Sequence, residues 1–151
     1  MQVREGGLGD PQVEALLHYH RTEAHASTPT DNAHAMDSAA LSAPGIRFFS
    51  VWDDDELLGV AALRHLDDTH AELKSMRTHP DHLRQGVART ILGYLAAEAQ
   101  SSGFRRLSLE TGTAPMFDPA NAMYELYGFV DCDPFGGYPP SEHNRFMTLE
   151  L

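Results

Sequence analysis

The sequence predicts a mixed α/β (α+β) fold, with a mostly antiparallel central sheet flanked by helices. Two patterns point there. The apolar runs 46–52, 56–63 and 71–78 are separated by the acidic turns Asp53–Asp55 and Asp67–Asp68, as successive antiparallel strands are. Asp-Pro pairs open helical stretches before and after that block, and glycines close the two helices that follow it, with single strand-like runs between. At 151 residues, 42% hydrophobic and 22% charged, the chain reads as one domain, 1–151, long enough to build its own core.

Each element has its own signal. A short strand is expected at 2–4, then a helix from 10 to 22, with Asp10 as N-cap and Pro11 in the first helical position. The polar stretch 25–44 reads as loop, with a short helix near 37–41. The hairpin 46–52 and 56–63 follows, then the strand 71–78. A long helix spans 87–102 and ends at Gly103. The run RLSLE at 106–110 alternates like a strand. Asp118 and Pro119 repeat the cap signal for a helix reaching Tyr127 and closing at Gly128, and strands at 129–132 and 145–151 complete the chain.

Composition narrows the function. With 22 acidic and 11 basic residues the net charge is −11, which repels nucleic acid and anionic membrane as nonspecific partners. A local basic site for a small anion remains open. The single cysteine, Cys132, excludes an internal disulfide and a cysteine-rich zinc site, and reads as a small buried residue rather than a nucleophile. The N-terminal sequence lacks the apolar stretch of a secretory signal, and no run approaches a membrane span, so a cytoplasmic location is expected. The nine histidines include no HExxH motif and read as solvated side chains, with no metal expected.

The most informative segment is HPDHLRQGVART, at 79–90, which joins a strand to a helix. A small-residue turn at a helix start lets main-chain N–H groups converge on an anion, with the helix dipole in support. Gly86 and Ala88 keep that turn slim, and Arg84 and Arg89 supply positive charge in an acidic chain. Neither GxxxxGK[ST] nor GxGxxG is present, so both nucleotide templates fail. Taken alone, the turn leaves open that Gly86 is merely a loop glycine before an amphipathic helix.

In its surroundings the turn resembles the signature of the GNAT (GCN5-related) N-acetyltransferases, [RQ]xxGx[GA], with Gly86 and Ala88 on the small positions. Leu83 stands where that family usually has Arg or Gln, so Arg84 would supply the charge. A second resemblance is MYELYGF at 123–129, similar to the family's LYExxGF segment, and a third is the strand–helix–strand order between the two. ELKSMRT, LSLETG and the FMTLEL ending are similar to those of a small bacterial subgroup. One family position departs: Phe117 stands where an Asn often contacts the cofactor, seven residues before the tyrosine.

The resemblance implies an acyl-CoA acyltransferase fold, acetyl-CoA as donor without a metal, and direct transfer to a primary amine of a small-molecule or amino-acid-like acceptor. It further implies that Met76, Arg77 and Thr78 meet the pantetheine arm, and that Gln85, Gly86, Val87, Ala88 and Arg89, with Arg84, hold the pyrophosphate. Dimers are frequent in the family. A non-catalytic acyl-CoA-binding or regulatory module on the same fold is the rival reading.

Amide formation needs a neutral amine, donors for an oxyanion and a proton for the leaving thiolate. Strict alternation along 71–78 puts Glu72, Lys74, Met76 and Thr78 on one face, and Glu72 is the candidate base, acting through water. A plain Glu72–Lys74 salt bridge is the competing role. Tyr124 shares a helical face with Ala120, Met123 and Tyr127. Periodicity leaves open whether these tyrosines are core or catalytic, and the resemblance selects Tyr124 as the acid. His34, in the loop before the hairpin, is the candidate substrate contact.

Overall fold

A computed structural model describes residues 1–27 and 36–151, and His34 lies outside them. The elements are β1 (Gln2–Glu5), α1 (Pro11–Ser27), α2 (Ser38–Leu41), β2 (Ile46–Asp53), β3 (Glu56–Asp67), β4 (His70–Thr78), α3 (Val87–Ser101), β5 (Arg106–Gly112), α4 (Asp118–Tyr127), β6 (Val130–Asp131) and β7 (Asn144–Glu150). Single 3-10 turns at Pro80–His82 and Pro115–Phe117 precede the turn before α3 and the start of α4. The strands form one sheet in the order β1-β2-β3-β4-β5-β7-β6, antiparallel throughout except where β4 meets β5.

Asp10 caps its helix as the sequence predicts, and Asp37 adds a cap the sequence did not mark. Asp10 accepts from the Gln12 N–H at 2.8 Å, and Asp37 accepts from the Ala40 N–H at 2.8 Å, satisfying donors that a helix start leaves orphaned. Asp118 differs: it is already helical, at φ −58° and ψ −44°, because the preceding 3-10 turn starts the coil early and leaves Phe117 at the cap. It still serves as an acidic first-turn residue against the helix dipole.

The sheet is covered on both faces. Phe48, Trp52, Leu57, Val60 and Ala62 pack with Val13, Leu16 and Leu17 of α1 and Leu41 of α2. The other cluster joins Phe49, Val51, Leu58, Leu73, Leu107 and Leu109 to Ile91, Leu92 and Leu95 of α3 and Tyr124 of α4. Being buried on both faces is why β3 reads as a continuous apolar run at Leu57–Leu63 rather than an alternating one.

Two irregularities shape the centre. Opposite β3, Lys74 pairs with Ala62 and Arg77 with Val60, so Ala61 faces both Ser75 and Met76 across a β-bulge. Ser75 takes φ +54° there, a conformation that costs a non-glycine residue energy. The extra residue inverts the pleat. Glu72, Lys74 and Arg77 lie opposite Arg64, Ala62 and Val60 on the α1 side, while Met76 packs with Leu73 into the α3 cluster. Strict alternation fails here, and Glu72 and Lys74 do not share a face with Met76.

The second irregularity is a split. β4 and β5 pair only along His70–Leu73 and Arg106–Leu109. Beyond that, β4 stays with β3 through Thr78, and β5 stays with β7 through Gly112. The end of β5 is pinned to α4. Asn121 Nδ2 donates to the Gly112 carbonyl at 3.0 Å, and its Oδ1 accepts from the Thr111 hydroxyl at 2.8 Å. The Phe117 ring lies against Gly112, where a Cβ would come within 2.2 Å of it, so only glycine fits.

Candidate functional site

The split opens a cleft of about 610 Å³ between the C-terminal halves of β4 and β5. Among the described candidates, Glu72, Met76, Arg77, Thr78, Arg84, Gly86, Val87, Ala88, Arg89 and Tyr124 all line it. Gln85 is exposed beside it and does not. The segment of β4 past Leu73 has no strand beside it on the cleft side, leaving a main-chain edge there.

One end of the cleft is the start of α3. Val87 sits against Gly59, where a Cβ would meet Val87 Cγ1 and the Arg77 carbonyl oxygen, each at 3.0 Å. This close approach fixes the helix end to the rim. Gly86 is the N-cap at φ +83°, and Arg84 before it is also left-handed at φ +62°. No side chain caps α3 and no acidic residue lies in its first turn, so its leading N–H groups and dipole face the cleft uncompensated. A Cβ at Gly86 would meet nothing within 4 Å, so the turn is open to a bound group. Arg84 and Arg89 are exposed at its edge.

Tyr124 comes from the opposite wall. It is buried (7% exposed), with its ring centroid 5.8 Å from that of Phe129. Burial pushes its phenol up to about 12, Arg77 opposing slightly, so it keeps its proton at neutral pH. Tyr127, on the same helix, is 38% exposed.

Glu72 is 1% exposed. Its Oε1 accepts from the Tyr138 hydroxyl at 3.2 Å and lies 3.5 Å from Arg64 Nη1, and its Oε2 lies 3.7 Å from Lys74 Nζ. The Glu72–Lys74 salt bridge therefore exists. Burial raises the Glu72 carboxyl above the ordinary carboxylate range, outweighing Lys74, Tyr138 and Arg64, which pull it down. Burial likewise lowers Lys74, whose ammonium donates to the Tyr138 hydroxyl and lies 4.8 Å from that ring's centroid.

Sequence reading missed Tyr138, which donates to Glu72, and Asn121 and Asn144, which brace the β5 wall of the cleft. Asn144 Nδ2 donates to Glu110 Oε2 at 2.9 Å, holding a second carboxylate in the cleft wall. Tyr138 follows two glycines in a segment without regular structure, so no periodicity marked it. The sequence signal for Asn121 was a polar residue on the otherwise apolar inward side of α4. Among the described residues no group of three or more His, Cys, Asp and Glu side chains is placed to hold a metal ion.

Comparison with known proteins identifies the family. The uncharacterized N-acetyltransferase YedL of Escherichia coli is 43% identical, covering 99% of this chain and 94% of its own length. The uncharacterized N-acetyltransferase YsnE of Bacillus subtilis is 41% identical over the whole of both chains. An aminoglycoside 6′-N-acetyltransferase solved with coenzyme A shares the fold, at a TM-score of 0.72 and 15% identity over 99% of this chain and 97% of its own. The family model described as acetyltransferase (GNAT) family matches residues 13–129, a span that contains the split strands, the uncapped helix start and Tyr124. The chain belongs to the GNAT acetyltransferase family and is an N-acetyltransferase.

Proposed function

We propose that residues 1–151 form one acetyltransferase domain that moves the acetyl group of acetyl-CoA directly to a primary amine of a small-molecule or amino-acid-like acceptor. One observation carries the reading: the uncapped, glycine-opened start of α3 shares a cleft with a buried carboxylate and a proton-bearing phenol. A diphosphate fits the helix start, where free N–H groups and the dipole would otherwise go unanswered, with Arg84 and Arg89 at its rim. The unpaired edge of β4 at Met76–Thr78 offers main-chain donors and acceptors to the amide groups of the pantetheine arm.

Chemistry follows from the two titratable groups. The amine nitrogen attacks the thioester carbonyl carbon, forming the C–N bond as the C–S bond breaks. Glu72, held above the ordinary carboxylate range, takes the amine's proton through a water. Tyr124, keeping its proton, donates a hydrogen bond to the departing thiolate sulfur as the C–S bond lengthens. Cys132, whose thiol burial pushes up, has no part in direct transfer.

The test is thiol release from acetyl-CoA across a library of amines, peptides and aminoglycosides, with products identified by mass spectrometry. Acetylated amine with stoichiometric thiol is expected. Coenzyme A binding without turnover of any amine would overturn the catalytic reading in favour of a binding module.

A further inference from the structure

Arg77 occupies the α1 wall of the cleft, away from the turn at Gly86. The bulge at Ser75 sends its side chain there, opposite Val60, while Met76 packs toward α3. Two residues of α1 fix the guanidinium. His20 Nδ1 accepts from Arg77 Nε at 2.9 Å, and the Tyr19 ring centroid lies 5.6 Å from the guanidinium carbon. Burial, then the charges of Arg77 and Lys74, hold the His20 pKa down to about 3, so the ring is neutral and free to accept.

That bond engages Nε only. The two terminal nitrogens remain as a planar fork, and among the described residues no carboxylate lies within ion-pair distance of them. Desolvation lowers the Arg77 pKa, with Tyr19 and Glu23 opposing at longer range. A half-buried guanidinium with its fork unused calls for an anion of planar, two-oxygen geometry. The same cleft holds the proposed base Glu72 and the proton-bearing Tyr124, so a carboxylate on Arg77 and an amine near those groups belong to one bound molecule.

We propose that Arg77, oriented by His20, binds the carboxylate of the acceptor, which is therefore a zwitterion carrying amine and carboxylate together. The assignment rests on the acetyl-transfer reading above. Arg77 acts here as a specificity residue: it sets which amine is presented, and Glu72 and Tyr124 act on whichever is bound.

The experiment compares paired acceptors that differ only in the carboxylate: lysine with cadaverine, and phenylalanine with phenethylamine. For each pair the ratio of kcat/KM, acid over amine, is measured with saturating acetyl-CoA. In the parent the ratio for the accepted pair should exceed unity by roughly 10- to 100-fold, the range of a charge-assisted hydrogen bond pair. Arg77→Met should bring the ratio close to one, and Arg77→Lys, which keeps the charge but loses the fork, should leave it between the two. Because the ratio cancels any general loss of activity, a partly unstable variant still reports. Acetyl-CoA affinity is followed by calorimetry in parallel. An unchanged ratio in Arg77→Met, or a loss confined to acetyl-CoA affinity, would overturn the assignment, the latter pointing to the donor's phosphates. Acetylation of cadaverine and phenethylamine without any carboxylate preference sinks this inference alone. Coenzyme A binding with no acetylation of any acceptor sinks the transferase reading and this one with it.

Discussion

Replacing Tyr124 by Phe removes one hydroxyl and leaves the ring contact with Phe129 in place. The fold should barely respond, with a stability change of roughly 1 kcal/mol or less for a single hydroxyl. Turnover should respond strongly. The phenol sits at about 12, well above a thiol's ordinary ~8.5, so complete proton transfer to the thiolate is uphill. Its help comes as a strong hydrogen bond while the C–S bond lengthens, which places the loss at the low end of general-acid effects, about 10²-fold in kcat. That corresponds to about 2.7 kcal/mol of barrier. The assay is continuous thiol release at saturating acetyl-CoA, with coenzyme A affinity and thermal midpoint measured alongside. The reasoning also demands that the parent show no alkaline fall from this group until well above pH 10, because the proton stays on up to about pH 12. Unchanged kcat removes Tyr124 from the mechanism, and an equal loss in coenzyme A affinity makes it a binding residue.

Three further outcomes follow from the site. Glu72 must be ionised to accept a proton, and burial raises its pKa, so parent activity should fall on the acid side at a pH above the ordinary carboxylate range and level off above it. Glu72→Gln should lose that plateau, its rate rising with pH toward the amine's own pKa of about 10.4 and its deficit greatest at low pH; a profile matching the parent's rules the base out. Gly86→Asp places a carboxylate at φ +83° beside the free N–H groups of α3, and calorimetry should show coenzyme A affinity lower by at least about tenfold. Asn121→Ala strips the Gly112 carbonyl and the Thr111 hydroxyl of their partner, and urea unfolding should read a loss of about 2–4 kcal/mol. A loss under about 0.5 kcal/mol would mean that β5 is held open by Phe117 alone.

Local features were legible in the sequence and long-range ones were not. Asp10, Gly103 and Gly128 act on neighbours within a turn, so their spacing to the apolar pattern located three helix ends. The turn at Gly86 and the tyrosine before Gly128 also carry their meaning in adjacent residues. The bulge escaped notice because Ser75 occupies a left-handed position with no glycine to signal it. Strict alternation then assigned Met76 and Thr78 to the wrong face. His20 and Arg77 are 57 residues apart, and Tyr138 lies 66 from Glu72, so only the folded sheet brings each pair together. Asp118 looked like a cap because the sequence does not show the 3-10 turn that starts its helix early.

The inserted residue at Ser75 also bears on the order of events during turnover. An unbroken pleat would aim alternate side chains of β4 at one common space, and donor and acceptor would compete for it. With the pleat inverted halfway, the strand serves α1 with Glu72, Lys74 and Arg77 and serves α3 with Met76. On the direct-transfer reading proposed above, donor and acceptor then meet different faces of β4 within the one cleft, and neither must leave before the other arrives. Double-reciprocal plots at several fixed acceptor concentrations should therefore intersect, the kinetic mark of two substrates held together, and parallel lines would require an acetylated enzyme that this strand has no need to form.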